Sequence, residues 1–165
     1  GQTVHFPDSY LEVLTTHEDI LPLSIRARDG VAYRGMNETT TVFQIIFDDA
    51  SVIFLGDAEA SNGEALIALY GKNLLSCKYL QGAHHLINDD RSIYANIRAE
   101  KLLAPQGRFT VMTRFCDNIR YLTSLFGAEN IYFAGDCTYV FTIKDGNESI
   151  SYFESKGYVY DDSGY

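Results

Sequence analysis

Long apolar runs are missing from this sequence. No stretch approaches the ~20 apolar residues that a membrane span requires, so no membrane span is expected. Runs of lysine and arginine are missing as well: 13 basic residues stand against 22 acidic ones, a formal charge of −9. Binding a duplex needs clustered cations that displace counterions, so nucleic acid held electrostatically is not an expected partner. An acidic chain can still cut a phosphodiester when metal ions supply the positive charge. Cysteine is scarce and widely spaced, at Cys77, Cys116 and Cys137, with no CxxC. An odd count argues against a closed disulfide framework, and all three read as buried small hydrophobes. GxSxG, Walker and GxGxxG patterns are absent, and nothing points to a Cys–His nucleophile pair. A basic-then-apolar opening is not seen. That alone does not fix a compartment, and the cytoplasm is the working expectation.

At 165 residues and 46% hydrophobic composition, one compact domain over 1–165 with a real core is expected. Leu21 to Tyr33 reads as a hairpin across Asp29-Gly30, and Tyr10 to Leu14 as a helical turn or short strand. Thr39 to Phe47 reads as a strand, followed by an antiparallel one over Val52 to Leu55. Four consecutive apolar residues there suggest a central strand. Asn62 to Lys72 has helical spacing, with Asn62 as N-cap and Gly71 near its stop. Cys77 to Gln81 reads as a strand, Ser92 to Leu103 as a helix and Phe109 to Thr113 as a strand. Asp117 to Phe126 reads as a helix stopped by Gly127, and Ile131 to Ala134 as a strand. Thr138 to Ile143 and Ser149 to Phe153 form a hairpin across Asp145-Gly146, and an acidic, tyrosine-rich end follows. The fold class is therefore α/β, a mixed β-sheet with flanking helices.

Two stretches bring chemistry to strand ends, where crevices open in α/β folds. Val52-Ile53-Phe54-Leu55 stops at Gly56-Asp57-Ala58-Glu59, and Leu80-Gln81-Gly82-Ala83 stops at His84-His85. Asp57 is either a metal-bridging carboxylate or general base, or a turn residue capping the next helix. Glu59 could complete a carboxylate pair for a hard cation, against a plain solvated loop acid. His84 and His85 would face opposite ways in a strand, but at a strand end one ring can reach the crevice, and neutral imidazole suits Zn²⁺. The alternative is one buried, satisfied ring and one exposed ring. His5 and His17 stand apart from everything else. Asp48-Asp49, Asp89-Asp90 and Asp161-Asp162 read as turn and tail acids, and Gly135-Asp136 as turn chemistry.

Taken together, Asn37-Glu38-Thr39-Thr40, Gly56-Asp57-Ala58-Glu59 and Ala83-His84-His85-Leu86 resemble the C-terminal half of the metallo-β-lactamase superfamily. The likeness runs from about Met36 to Ile143 and is strongest to the branch that includes DNA-uptake competence proteins and related hydrolases. There the pattern is an Asn-x-x-Ser/Thr strand, a strand ending Gly-Asp-Ala, a helix, and a strand ending His-His-Gly. The resemblance implies half of an αββα sandwich and metal-assisted hydrolysis on two zinc ions. It implies that Asp57 bridges the metals, and that one of His84 and His85 is a ligand, with His85 favoured and the other ring supporting it. A small-molecule or phosphodiester-type substrate would follow. Leu86 departs from the family's glycine, which is expected to crowd the loop nearest substrate. The family's HxHxDH motif is not present, so the isolated chain is expected to hold no stable two-metal centre and to be inactive alone. A missing N-terminal half, or association of copies into a homo-oligomer, is expected to cover the open sheet face. A non-catalytic interaction or assembly module on the same half-fold is the alternative. An unrelated α/β enzyme using Asp57 and His85 without metal is a third, weaker one.

Overall fold

A computed structural model describes residues 2–16, 19, 36–47, 49–72, 74–87 and 91–154. The hairpin expected over Leu21 to Tyr33, His17, the Asp89-Asp90 pair and the acidic end lie outside the described residues. The core of the fold is one seven-stranded sheet in sequence order. Its strands are β1 (Thr3–Phe6), β2 (Ser9–Thr15), β3 (Val42–Phe47), β4 (Ser51–Phe54), β5 (Leu75–Gln81), β6 (Ile97–Ala104) and β7 (Ile131–Phe133). β1 to β4 pair antiparallel, and β4 to β7 pair parallel. The mixed α/β sheet read from the sequence is therefore the architecture, with the apolar β4 at its centre.

Parallel neighbours need long crossovers, and the helices supply them. They are α1 (Ala60–Tyr70), α2 (Arg91–Ala95), α3 (Arg108–Arg114) and α4 (Cys116–Phe126). Leu66, Ile93, Val111, Ile119 and Leu122 from these helices share one core with Ile53, Leu80, Leu102 and Phe133 from the strands. Each fully buried Leu or Ile there contributes roughly 1.5–3 kcal/mol.

Strand side chains alternate between faces, so the neighbours of these core residues point the other way. Tyr79 and Lys101 are cross-strand partners on that second face. A separate hairpin covers it, built from β8 (Cys137–Lys144) and β9 (Asn147–Glu154). Phe141 packs edge-on to Tyr79 at 4.9 Å and to Tyr132 at 5.0 Å. Glu148 accepts a hydrogen bond from the Tyr79 hydroxyl and pairs with Lys101 at 2.6 Å and Lys78 at 3.7 Å.

Four expectations from the sequence are corrected. Residues 97–104 are not the second half of a helix but strand β6. Arg98, Ala99, Glu100, Lys101 and the Leu102-Leu103 pair are strong helix formers, yet pairing with β5 and β7 overrides that preference. Conversely, 108–114 is helix α3 rather than a strand, despite Phe109, Thr110 and Val111. Gly107 occupies its N-cap position, and the Asp136 carboxylate accepts from the Arg108 N–H at 3.0 Å, which starts the helix. Asn62 is not the N-cap of α1 either: Glu59 is, and Asn62 lies inside the helix, fully buried. Of the three cysteines, Cys77 and Cys137 are buried, whereas Cys116 is exposed at the start of α4.

Candidate functional site

The parallel strands end along one rim of the sheet, and the loops leaving β4 and β5 build the candidate site there. After Leu55 the chain turns sharply, closed by Ala58 N–H donating to the Leu55 carbonyl at 3.1 Å. Gly56 makes that turn with φ of 56°, in the left-handed region that glycine adopts at no steric cost. A Cβ at Gly56 would also stand 2.8 Å from the Thr40 methyl group. Thr40 in turn follows a 3₁₀ turn over Met36–Thr39, which presents Asn37. The buried Asn62 amide ties the pieces together: its Oδ1 accepts from Glu59 N–H at 2.8 Å, and its Nδ2 donates to the Thr40 carbonyl at 3.3 Å.

The loop after β5 is stitched to the one after β4. Gln81 Oε1 accepts from Gly56 N–H at 2.8 Å, and its Nε2 donates to the Gly82 carbonyl. His84 N–H donates to the Gly56 carbonyl at 2.8 Å. The backbone then runs through His84, His85 and Leu86 with φ of 46°, 53° and 65°. Left-handed backbone costs a non-glycine residue roughly 1–2 kcal/mol, so this run persists because its surroundings hold it. Leu86 is fully buried in the core. Asn118 Nδ2 donates to the Leu86 carbonyl at 3.2 Å, and the Tyr94 hydroxyl accepts from Ala83 N–H at 2.9 Å. A Cβ at Gly82 would meet Leu86 Cδ2 at 2.3 Å, so glycine there makes room for the leucine. Leu86 thus stands where the resembled family has glycine, at a position whose φ favours glycine, and its side chain turns into the core rather than out over the rim.

The two imidazoles have different surroundings. His84 faces a polar group made by Asn37 and Glu59. Asn37 Nδ2 donates to Glu59 Oε1 at 3.1 Å and stands 3.3 Å from His84 Nε2. Glu59 Oε1 is 4.0 Å from His84 Nδ1. The same Asn37 Nδ2 also lies 3.5 Å from His84 Nδ1, so either ring nitrogen can accept from this amide. His85 is exposed, and its Nδ1 stands 3.2 Å from the Pro105 carbonyl. A carbonyl only accepts, so Nδ1 carries the proton and Nε2 holds the lone pair. Asp57 is half-buried in the same loop as Glu59. Among the described contacts, however, the carboxylate that meets His84 is Glu59.

Sequence reasoning reached Asp57, His84 and His85. It left Glu59 as a secondary candidate and did not single out Gln81, the amide that joins the two strand ends. The signal for Gln81 was its position, the last residue of β5 before a Gly and the doublet. Gly135-Asp136 is turn chemistry, as expected: Asp136 N–H bonds to the Phe133 carbonyl at 3.0 Å while its carboxylate starts α3. Burial pushes the Cys77 thiol up to about 12, so this cysteine is no thiolate nucleophile at neutral pH.

The described residues do not by themselves make up a two-zinc centre. Among the described residues, no group of three or more His, Cys, Asp or Glu comes together to hold a metal, and a closed zinc site needs four ligands. His85 has the proton pattern of a ligating imidazole, with its Nδ1 set to donate to the Pro105 carbonyl. Among the described residues no helix is long and apolar enough to cross a membrane. No protein-family model matches the chain, and neither a curated protein nor a solved structure matches it.

Proposed function

We propose that this chain is the C-terminal portion of a metal-dependent hydrolase of the metallo-β-lactamase type, inactive alone, whose site is completed by ligands from outside the described residues. The observation that carries the reading is the joining of the β4 and β5 ends. The Asn37, Gly56–Glu59 and His84–His85 segments, which together carry the resemblance to the family, are linked through Asn37 to Glu59 and through His84 to Gly56. In this reading His85 offers Nε2 outward, while Asn37 and Glu59 flank the His84 ring and hold its position. Asp57 supplies a carboxylate at the same rim. A small-molecule or phosphodiester-type substrate fits an acidic chain whose positive charge comes from bound cations.

Plasma mass spectrometry of the purified chain equilibrated with zinc tests this. Substoichiometric zinc is expected, falling further in Asp57→Ala and His85→Ala. Two zinc ions per chain would overturn the incompleteness. Residual zinc indifferent to both substitutions would overturn the site.

One observation favours a second reading, a non-catalytic assembly module. The β8–β9 hairpin exposes Val140 and Phe153 on the face turned away from the sheet, and Ile150 and Tyr152 on its other face are exposed as well; exposed apolar patches mark association surfaces. Self-association in light scattering, together with zinc uptake unchanged by Asp57→Ala, would favour the module.

A further inference from the structure

We propose that the groove between α3, α4 and β7 binds a small amphipathic carboxylate, with an apolar body and a single anionic end. The groove encloses about 430 Å³, within the roughly 300–1,000 Å³ range of small-molecule sites. Ile119, Ile131 and Phe133 form its floor and belong to the buried core, so the floor is rigid. Met112, 56% exposed, forms an apolar lip.

Charge selects the ligand. In a chain of formal charge −9, this lining holds two guanidinium groups, Arg108 and Arg120, and no carboxylate. Arg108 lies over the Phe133 ring at 5.0 Å to the centroid. That stacking holds its planar fork at the groove wall, ready for bidentate contact with a carboxylate. Arg120 pairs with Asp117 at 3.3 Å, but both side chains are nearly 80% exposed (78% and 79%). Such a solvated pair is worth little, and a ligand carboxylate replaces it without stranding a buried charge. An uncharged apolar molecule would fill the floor but leave both guanidiniums unused. A cation would meet them as like charges. The groove uses none of Asp57, His84 and His85, so the inference stands or falls separately from the hydrolase reading.

The test is titration of the isotope-labelled chain with octanoate, octan-1-ol and octyltrimethylammonium, followed by amide NMR. Octanoate is expected to shift resonances of α3, α4 and β7 saturably, with an affinity of about 1 mM or tighter. The alcohol is expected to bind about tenfold more weakly, a difference of 1.4 kcal/mol, and the cation not at all. Arg108→Gln and Arg120→Gln together should remove the preference for octanoate over octanol. Thr123→Phe, which fills the groove from a partly exposed position, should abolish binding while leaving thermal unfolding unchanged. Equal affinity for acid and alcohol would overturn the proposal. So would shifts confined to the β8–β9 hairpin, or the absence of saturable shifts. A second copy found in the groove by concentration-dependent sedimentation would overturn it too.

Discussion

The two faces of the sheet are held in different ways. The helix face is closed by area: Leu80, Leu102, Ile53 and Leu122 are fully buried or nearly so among other apolar side chains. The hairpin face is closed by a few directed contacts, namely an aromatic cluster and the single carboxylate of Glu148 between two lysines and a tyrosine. Area burial is indifferent to pH and to charge screening. A polar clamp is sensitive to both. The first face should therefore set the global stability and the second a local, condition-dependent one.

Four substitutions break or sharpen that contrast. Leu102→Ala should be the most damaging, costing about 2–5 kcal/mol through a cavity on the helix face, seen as a lower urea midpoint at every pH. Asn62→Ala comes next, at about 1–3 kcal/mol, because it leaves the Glu59 N–H and Thr40 carbonyl without their partner in a buried place. It should also broaden the NMR resonances of Asn37 and His84.

Glu148→Gln should cost about 1–2 kcal/mol, and only over part of the pH range. Burial raises the Glu148 pKa, but hydrogen bonds from Lys101 and Tyr79 and the charges of Lys101 and Lys78 outweigh it and leave it below 4.5. A depressed carboxylate pKa contributes stability that is present above the unfolded value and lost as pH falls through the folded one. Wild type and variant should therefore converge in acid, once the pH has fallen through the lowered folded value. At the alkaline end, burial, the bond to Glu148 and nearby negative charges raise the Tyr79 pKa. That contribution is present below its unfolded value of 10.0 and is lost as pH rises through the folded one. Hydrogen-exchange protection factors in β8 and β9 should then fall at both extremes, while those of the helix-face strands hold. Arg120→Ala is the smallest, within about 0.5 kcal/mol, since its pair is solvated. A larger loss would mean that α4 depends on that charge.

The sequence made the architecture readable where side chain and pairing agree. Alternation and Asp145-Gly146 gave the hairpin, and the apolar run of β4 gave the sheet's centre. It misled where they disagree. The composition of 97–104 is that of a helix, and only the vacancy between β5 and β7 makes it a strand. The short helix 108–114 is started from a distance by Asp136, which no local pattern reveals. At the site, residue types at strand ends pointed to Asp57, His84 and His85. The partnership of Glu59 with His84 was not legible, because it depends on how the capping of α1 and the Gly56 turn aim the chain.

Leu86 gives the histidine doublet an unexpected guardian. Three successive left-handed residues form a short coil wound against the chain's usual sense, and its far end is pinned by a hydrophobic plug in the interior. Pulling that plug would let the coil unwind to the ordinary hand and swing both rings away from the rim at once. Constraint on whatever the imidazoles do would then register on an aliphatic side chain that never touches a ligand.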